Sequence, residues 1–436
     1  MNQIVLKSRL ALMLLLEFAV WGAYLTSLGS YLINAGLANH IGSFYAVQGI
    51  VSIFTPAIFG IIADRWIPAQ KMLSLSHFFA GVFMIGAGLY GCFNPQPAFG
   101  PLFTLYTLSV AFFMPTIGLA NSVSYNALDR AGLDTVKHFP PIRIFGTIGF
   151  IILMLFVNFT GFQNTYAQLI TSGAMSLILT VYALTMPNCP VKKSDKKKSL
   201  SEALGLNAFK LFKDRNMAIF FIFSMLLGVS LQITNGFANP FIQAFGKDTL
   251  IGQNANALIS LSQMSETLCI LLIPFFLRKF GIKVVMLMAM LAWVLRFGLF
   301  GIGDATPMGV AFLIMSMIVY GVAFDFFNVS GSLYVDQQTD ISIRSSAQGL
   351  FMIMTNGIGA TVGTLGAQAV ISHLVFSQPE GEAQIAGWHT SWMIFAAYAL
   401  VVAILFFFIF KNKPAKTPTD IKEVAEDDPA GMVETL

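Results

Sequence analysis

Six polar side chains stand alone in long apolar stretches: Glu17, His77, Arg143, Glu266, Arg296 and Asp325. Asp325 is the plainest, a single carboxylate in "IVYGVAFDFFNVSGSLY" with no charge beside it. A charged group at such a place costs about 3 kcal/mol on insertion scales, so it faces a cavity or a partner. Helical spacing shows what accompanies each. Asp325 shares a stripe with Gly321, Asn328 and Ser332, and Tyr320, Phe324 and Phe327 lie on neighbouring faces. Ser262, Gln263, Glu266 and Thr267 fall within one turn, and Gln232, Asn235 and Asn239 repeat at three and four. Arg143, Thr147 and Phe150 align after the double proline of "FPPIR", and Glu17, Trp21 and Tyr24 form a column. The amides also suit hydrogen-bonding glue between helices. The charges also suit a fixed network, but apolar packing replaces such a network at little cost. A group that exchanges protons has to stay ionisable. Rings stack on a flat face, while carboxylates and amides pair with hydroxyls and base edges. That inventory fits a neutral nucleoside and, less well, an oligosaccharide; a phosphorylated solute would need more cations than Arg143 alone.

The elements that position these groups are membrane helices. Of 436 residues 56% are hydrophobic and 11% charged, far from soluble averages. The apolar residues fall into twelve blocks, from Leu10–Ile33 to Ser391–Phe410, each long enough to cross about 30 Å of hydrocarbon. The first block contains Glu17 and leads into Trp21 and Tyr24 rather than a cleavage site, so it is read as a span and not a signal peptide. Basic residues sit before the first block, in even-numbered loops and in the tail, whereas the odd-numbered loops offer only Lys247. Both termini are therefore expected in the cytoplasm. This placement explains the net charge of +4 without nucleic acid. Three scattered cysteines and five scattered histidines give no disulfide framework or metal motif. No phosphate loop supports ATP-driven pumping, and no cofactor is expected. The stretch from Pro187 to Arg215 separates six blocks from six, with a lysine run and an amphipathic piece, "LSEALGLNAFKLF", expected along the membrane surface. The expected organisation is a six-helix bundle over 1–186, a cytoplasmic loop over 187–215, a second bundle over 216–411 and a disordered acidic tail over 412–436.

"GIIADRWIPAQK" resembles the signature turn of the major facilitator superfamily through Gly60, Asp64 and Arg65, which are taken as a conformational gating loop. The resemblance implies an all-α integral membrane protein of the major facilitator fold, with twelve transmembrane helices in two six-helix bundles that rock about a midplane site. In that fold Glu17, Arg143, Glu266 and Asp325 belong to cavity-forming helices. His77 and Arg296 belong to outer ones, and Arg296 is expected to snorkel outward or meet Asp304 in a structural role.

"FPPIRIFGTIGF", "NMAIFFIFSMLLGVSLQITN", "SLSQMSETLCILLIPFFL", "SMIVYGVAFDFFNVSGSLYV" and "RSSAQGLFMIMTNGIG" look like the bacterial nucleoside:proton symporter family. The resemblance implies a nucleoside site built from Arg143, Thr147, Phe150, Gln232, Asn235, Gln263, Glu266, Tyr320, Phe324 and Asp325. Asp325 is the first choice for the coupling acid, then Glu266 and Glu17; Glu17 rests on helix position alone. The expected protein is a monomeric importer of the bacterial inner membrane, not an enzyme, whose partners are a nucleoside, the proton and the lipid bilayer. An oligosaccharide symporter and a non-transporting receptor are the alternatives. Gly359 and Gly363 are read as packing within a bundle rather than a dimer face.

Overall fold

The structure is a computed structural model that describes residues 3–189, 206–339 and 343–411. The lysine run, residues 200–205 of the amphipathic piece, the acidic tail and the side chains of Asp64 and Arg65 lie outside the described residues. All regular structure among the described residues is helical, and the chain divides into two compact units, Met1–Leu204 and Gly205–Leu436.

The N-terminal unit holds α1 (Gln3–Gly22), α2 (Ile41–Arg65), α3 (Ala69–Phe93), α4 (Phe99–Arg130), α5 (Thr135–Phe159) and α6 (Ala167–Leu184). Regular winding stops after Gly22 and resumes for Leu28–Asn34, so the first span is broken part-way across. Gly60 lies within α2.

The C-terminal unit holds α7 (Arg215–Gln243), α8 (Ala255–Ile270), α9 (Ile273–Ile302), α10 (Pro307–Gln338), α11 (Arg344–Met352) and α12 (Glu382–Ile409). Helix α11 continues through wide π-type turns at Ile353–Gly359, then Ala360–Ile371 and Ser372–Phe376. Alone, the 16 residues of α8 rise about 24 Å, short of the hydrocarbon thickness. The chain solves this at Gly281, whose φ of 74° and ψ of 167° interrupt α9. Residues 273–280 extend the eighth span and residues 282–302 form the ninth. Ten described helices are long and apolar enough to cross a membrane; α1, which carries Lys7, Arg9 and Glu17, and the extended α8 bring the spans to twelve.

Small residues set how closely these helices pack, since apolar side chains gain little from leaving lipid. A Cβ on Gly149 would lie 2.0 Å from the Leu15 carbonyl oxygen, and one on Gly22 would lie 2.3 Å from that of Phe150. Helices α1 and α5 therefore meet backbone to backbone. Gly359 and Gly363 do the same for α11, against Met225 and Val229 of α7, which is packing inside one unit. On α5, Ile144, Ile148, Ile152 and Phe156 form an exposed apolar stripe, turning Gly149 and Phe150 inward.

Candidate functional site

In the N-terminal unit the close α1–α5 contact gathers one set of residues. The Arg143 guanidinium carbon lies 4.0 Å from the centre of the Phe18 ring, a cation–π arrangement. One turn on, Thr147 is half-buried and Phe150 is buried. Phe150 meets Trp21 edge-on at 6.4 Å, and Trp21 meets Phe113 of α4 at 6.0 Å. Arg143, Thr147 and Phe150 thus share the face of α5 that packs on α1.

Glu17 does not join them. It is fully buried on the other side of α1 and bonds His77 of α3, with 2.7 Å between Oε2 and Nε2. The Thr116 hydroxyl of α4 lies 2.6 Å from Glu17 Oε1 and 2.5 Å from the Phe113 carbonyl oxygen, its one hydrogen shared between them. The other ring nitrogen of His77 lies 2.9 Å from Ser176 Oγ on α6, and that hydroxyl is 2.9 Å from the His77 carbonyl oxygen. Sequence reasoning placed His77 on an outer helix and left it without a partner. The missed signal is numerical: one acid and one imidazole stand in the interior of six apolar helices, and each is costly unless it finds the other.

In the C-terminal unit α8 and α10 bring four expected residues together. The Tyr320 hydroxyl bonds Gln263 and faces Glu266 and Asp325, and Asp325 lies within electrostatic reach of Glu266. Glu266 and Gln263 are half-buried. Asp325 is 1% exposed and its Oδ2 has no hydrogen-bond partner. The close approach is made possible by Gly321, where a Cβ would lie 2.6 Å from the Ser265 carbonyl oxygen. Tyr320 and Phe324 stack at 5.7 Å with their planes 6° apart. Phe324 also lines a small pocket with Gly228, Leu231, Trp293, Asn328 and Asn356.

The amide stripe of α7 divides. Asn235 donates to Gln232 at 3.2 Å, whereas Asn239 donates to Asn256 of α8 at 2.7 Å and accepts from Gln243 at 2.8 Å. The last three act as glue between α7 and α8, as Asn residues do where lipid offers no partner. Ser332, on the same stripe as Asp325, is bonded to Gln348.

The expectation for Arg296 is corrected. It neither snorkels nor meets Asp304: it is 2% exposed, donates to the Ser316 carbonyl oxygen at 2.6 Å and lies 4.6 Å from the Tyr320 ring centre and 5.1 Å from that of Phe300. The position is six residues, about 9 Å, from the end of α9, and α8 and α10 close over it. Asp304 instead accepts from the backbone and hydroxyl of Thr306, bonds that hold its carboxyl below the usual carboxylate range.

Two bundles of six membrane helices, each with an acid and a set of rings in its interior, define a secondary transporter of the major facilitator fold. The chain belongs to the nucleoside H+ symporter family, whose sequence pattern matches residues 4–415. The nucleoside permease NupG of Escherichia coli (strain K12) is 44% identical over 427 residues, spanning 96% of this chain and 99% of that one. The xanthosine permease of the same organism is 46% identical over 411 residues, spanning 92% and 95%. The crystal structure of NupG matches with a TM-score of 0.85 over 95% of this chain and 100% of that one. A peptide transporter of the POT family, 13% identical at a TM-score of 0.69, shares the fold alone. These relatives are transporters, not enzymes.

Proposed function

We propose that the protein imports nucleosides together with protons across the bacterial inner membrane, as a monomer with both termini in the cytoplasm and by alternating access. The observation that carries the reading is the Glu266–Asp325 pair next to the Tyr320–Phe324 stack, in a chain whose relatives are named as nucleoside and xanthosine permeases. The rings suit a nucleobase, and Gln232, Asn235 and Gln263 suit ribose hydroxyls and base edges. Arg143, Thr147 and Phe150 supply the ligands of the N-terminal unit. Asp325, buried and within electrostatic reach of Glu266, is the group that takes up the proton in this reading, since one proton on two interacting carboxyl groups avoids two like charges in the bundle. One proton crossing 100 mV contributes about 2.3 kcal/mol, on the order of 50-fold accumulation.

The test is uptake of labelled uridine into reconstituted vesicles with and without an imposed pH gradient. Unlabelled nucleosides should compete and disaccharides should not; the reverse pattern would favour an oligosaccharide cargo. Asp325→Asn is expected to abolish pH-driven accumulation. Undiminished accumulation by that variant would remove Asp325 from the coupling role, and no uptake of any solute by the wild type would favour a receptor.

A further inference from the structure

We infer that Glu17 and His77 form a second proton-binding site, inside the N-terminal unit, whose protonation sets the position of α1 against α3 and through it the α5 face that carries Arg143 and Phe150. The inference deepens the proton-coupled reading above and, for its role in coupling, rests on it.

The hydrogen positions follow from the contacts. A carbonyl oxygen cannot donate, so the Ser176–His77 carbonyl contact of 2.9 Å takes the single proton of the serine hydroxyl. The 2.9 Å contact of the same oxygen with Nδ1 is then a bond only if Nδ1 carries hydrogen. With Nδ1 protonated, the 2.7 Å contact between Nε2 and Glu17 Oε2 needs one further proton, held either as a carboxylic acid against bare Nε2 or as a carboxylate against Nε2–H. With the single Thr116 hydrogen shared between Glu17 Oε1 and the Phe113 carbonyl oxygen, the pair is neutral either way and stores one proton in one bond. When that proton leaves, a carboxylate faces the lone pair of a neutral imidazole. The bond is lost, and a net negative charge remains where both side chains are 0% exposed, the situation that low-dielectric surroundings penalise most.

Release therefore pushes α1 away from α3. Two features pass that movement on. Leu15 and Gly22, which flank Glu17, are in backbone contact with Gly149 and Phe150 of α5, so α5 follows α1. Just past Gly22 the first span loses regular winding, as far as Leu28, which supplies a joint. Among other titratable or charged groups on the helices packed around the pair, Arg143 lies over Phe18, the neighbour of Glu17, while Tyr24 and Tyr106 meet edge-on at 6.0 Å. At the start of the chain Lys7 is bonded to His138 and Arg9 to Thr185, and Tyr182 donates to the Arg9 carbonyl oxygen. Arg143 packs on Phe18, the residue next to Glu17, so a movement that brings its guanidinium nearer the pair would favour release of the proton.

The test uses the full-length chain and has two arms. In the first, histidine is labelled with 15N, and the signals of His77 are those lost in His77→Gln. They should titrate in the wild type and in Asp325→Asn alike, and in Glu17→Gln they should stay those of a neutral ring with Nδ1–H. Signals constant over the range in which imidazoles ordinarily titrate, roughly pH 5–8, or an unaltered titration in Glu17→Gln, would overturn the site. This arm needs no cargo and is independent of the transport reading. In the second arm Glu17→Gln, whose amide can donate to Nε2, is expected to keep uridine counterflow while losing about tenfold or more of pH-driven accumulation. Loss of both, or of neither, refutes the coupling role; absence of driven uptake in the wild type itself counts against symport and leaves the first arm standing.

Discussion

Tyr320 lies between two kinds of charge. The guanidinium of Arg296 sits against its ring at 4.6 Å, and its hydroxyl faces Glu266 and Asp325. With Phe324 stacked on it, the ring has little freedom to tilt. Arg296 therefore acts as a positioning residue, and a lysine there keeps the charge but loses the flat stacking surface and the fork of donors. A desolvated cation–π contact is worth about 1–2 kcal/mol. Arg296→Lys is accordingly expected to raise the apparent KM for uridine roughly 3- to 10-fold with a smaller change in maximal rate. Vesicle uptake over a range of uridine concentrations checks this; a fall in maximal rate at unchanged KM would mean that Arg296 serves the moving helices and not the ring.

At the scale of elements, close helix contacts and exposed caps should respond very differently. Gly149→Ala inserts a methyl group 2.0 Å from a backbone oxygen, and α1 and α5 have to separate. Overpacking of this kind costs about 1–3 kcal/mol, so thermal unfolding of the purified protein should shift downward, and, with Arg143 and Phe150 of α5 proposed as ligands, uridine affinity should fall. The start of α10 is a milder case. Thr306 Oγ1 accepts from the Gly309 amide at 3.1 Å and Pro307 fills the first helical position; loss of such a cap costs about 1 kcal/mol, which Thr306→Ala should show as a small drop in unfolding temperature without loss of transport. Thr306 also holds the Asp304 carboxyl low. The stability this lends is present above the ordinary aspartate range and is lost as pH falls through the lowered value. Thr306→Ala should therefore narrow the difference in stability between neutral and acidic pH.

For the molecule as a whole, the distribution of basic residues makes a prediction about sidedness. In a chain with Cys92, Cys189 and Cys269 replaced by serine, Lys247→Cys should react with a membrane-impermeant maleimide in intact cells. Lys283→Cys should react only after permeabilisation, and the opposite pattern would invert the topology. Much of the architecture was legible because a bilayer asks a simple question of each stretch: whether it is apolar for long enough. The twelve blocks answer it, including the eighth, whose helix reaches full length only by running on to Gly281. Within the candidate site, Gln263, Glu266 and Asp325 were legible as members of two stripes and Tyr320 as lying on a face beside the second, since helical spacing decides which side chains share a face. Spacing within one helix says nothing of which face meets which neighbour, and there Glu17, His77 and Arg296 escaped it. Glu17 was grouped with Trp21 and Tyr24 by spacing, yet it points into the α3–α4–α6 side of its helix; Asn239 was grouped with Gln232 and Asn235, yet it bonds Asn256.

By itself the sequence determined the membrane class, the number of spans and the inventory of buried acids, cations, amides and rings, because these depend on composition and on period along one chain. Only the tertiary structure decided the pairings: Glu17 with His77, Glu266 with Asp325, Arg296 with Tyr320. Each depends on which helices lie side by side and how near glycine lets them come. In hydrocarbon a charge takes whatever partner the packing brings within reach, and that partner can stand sixty residues away.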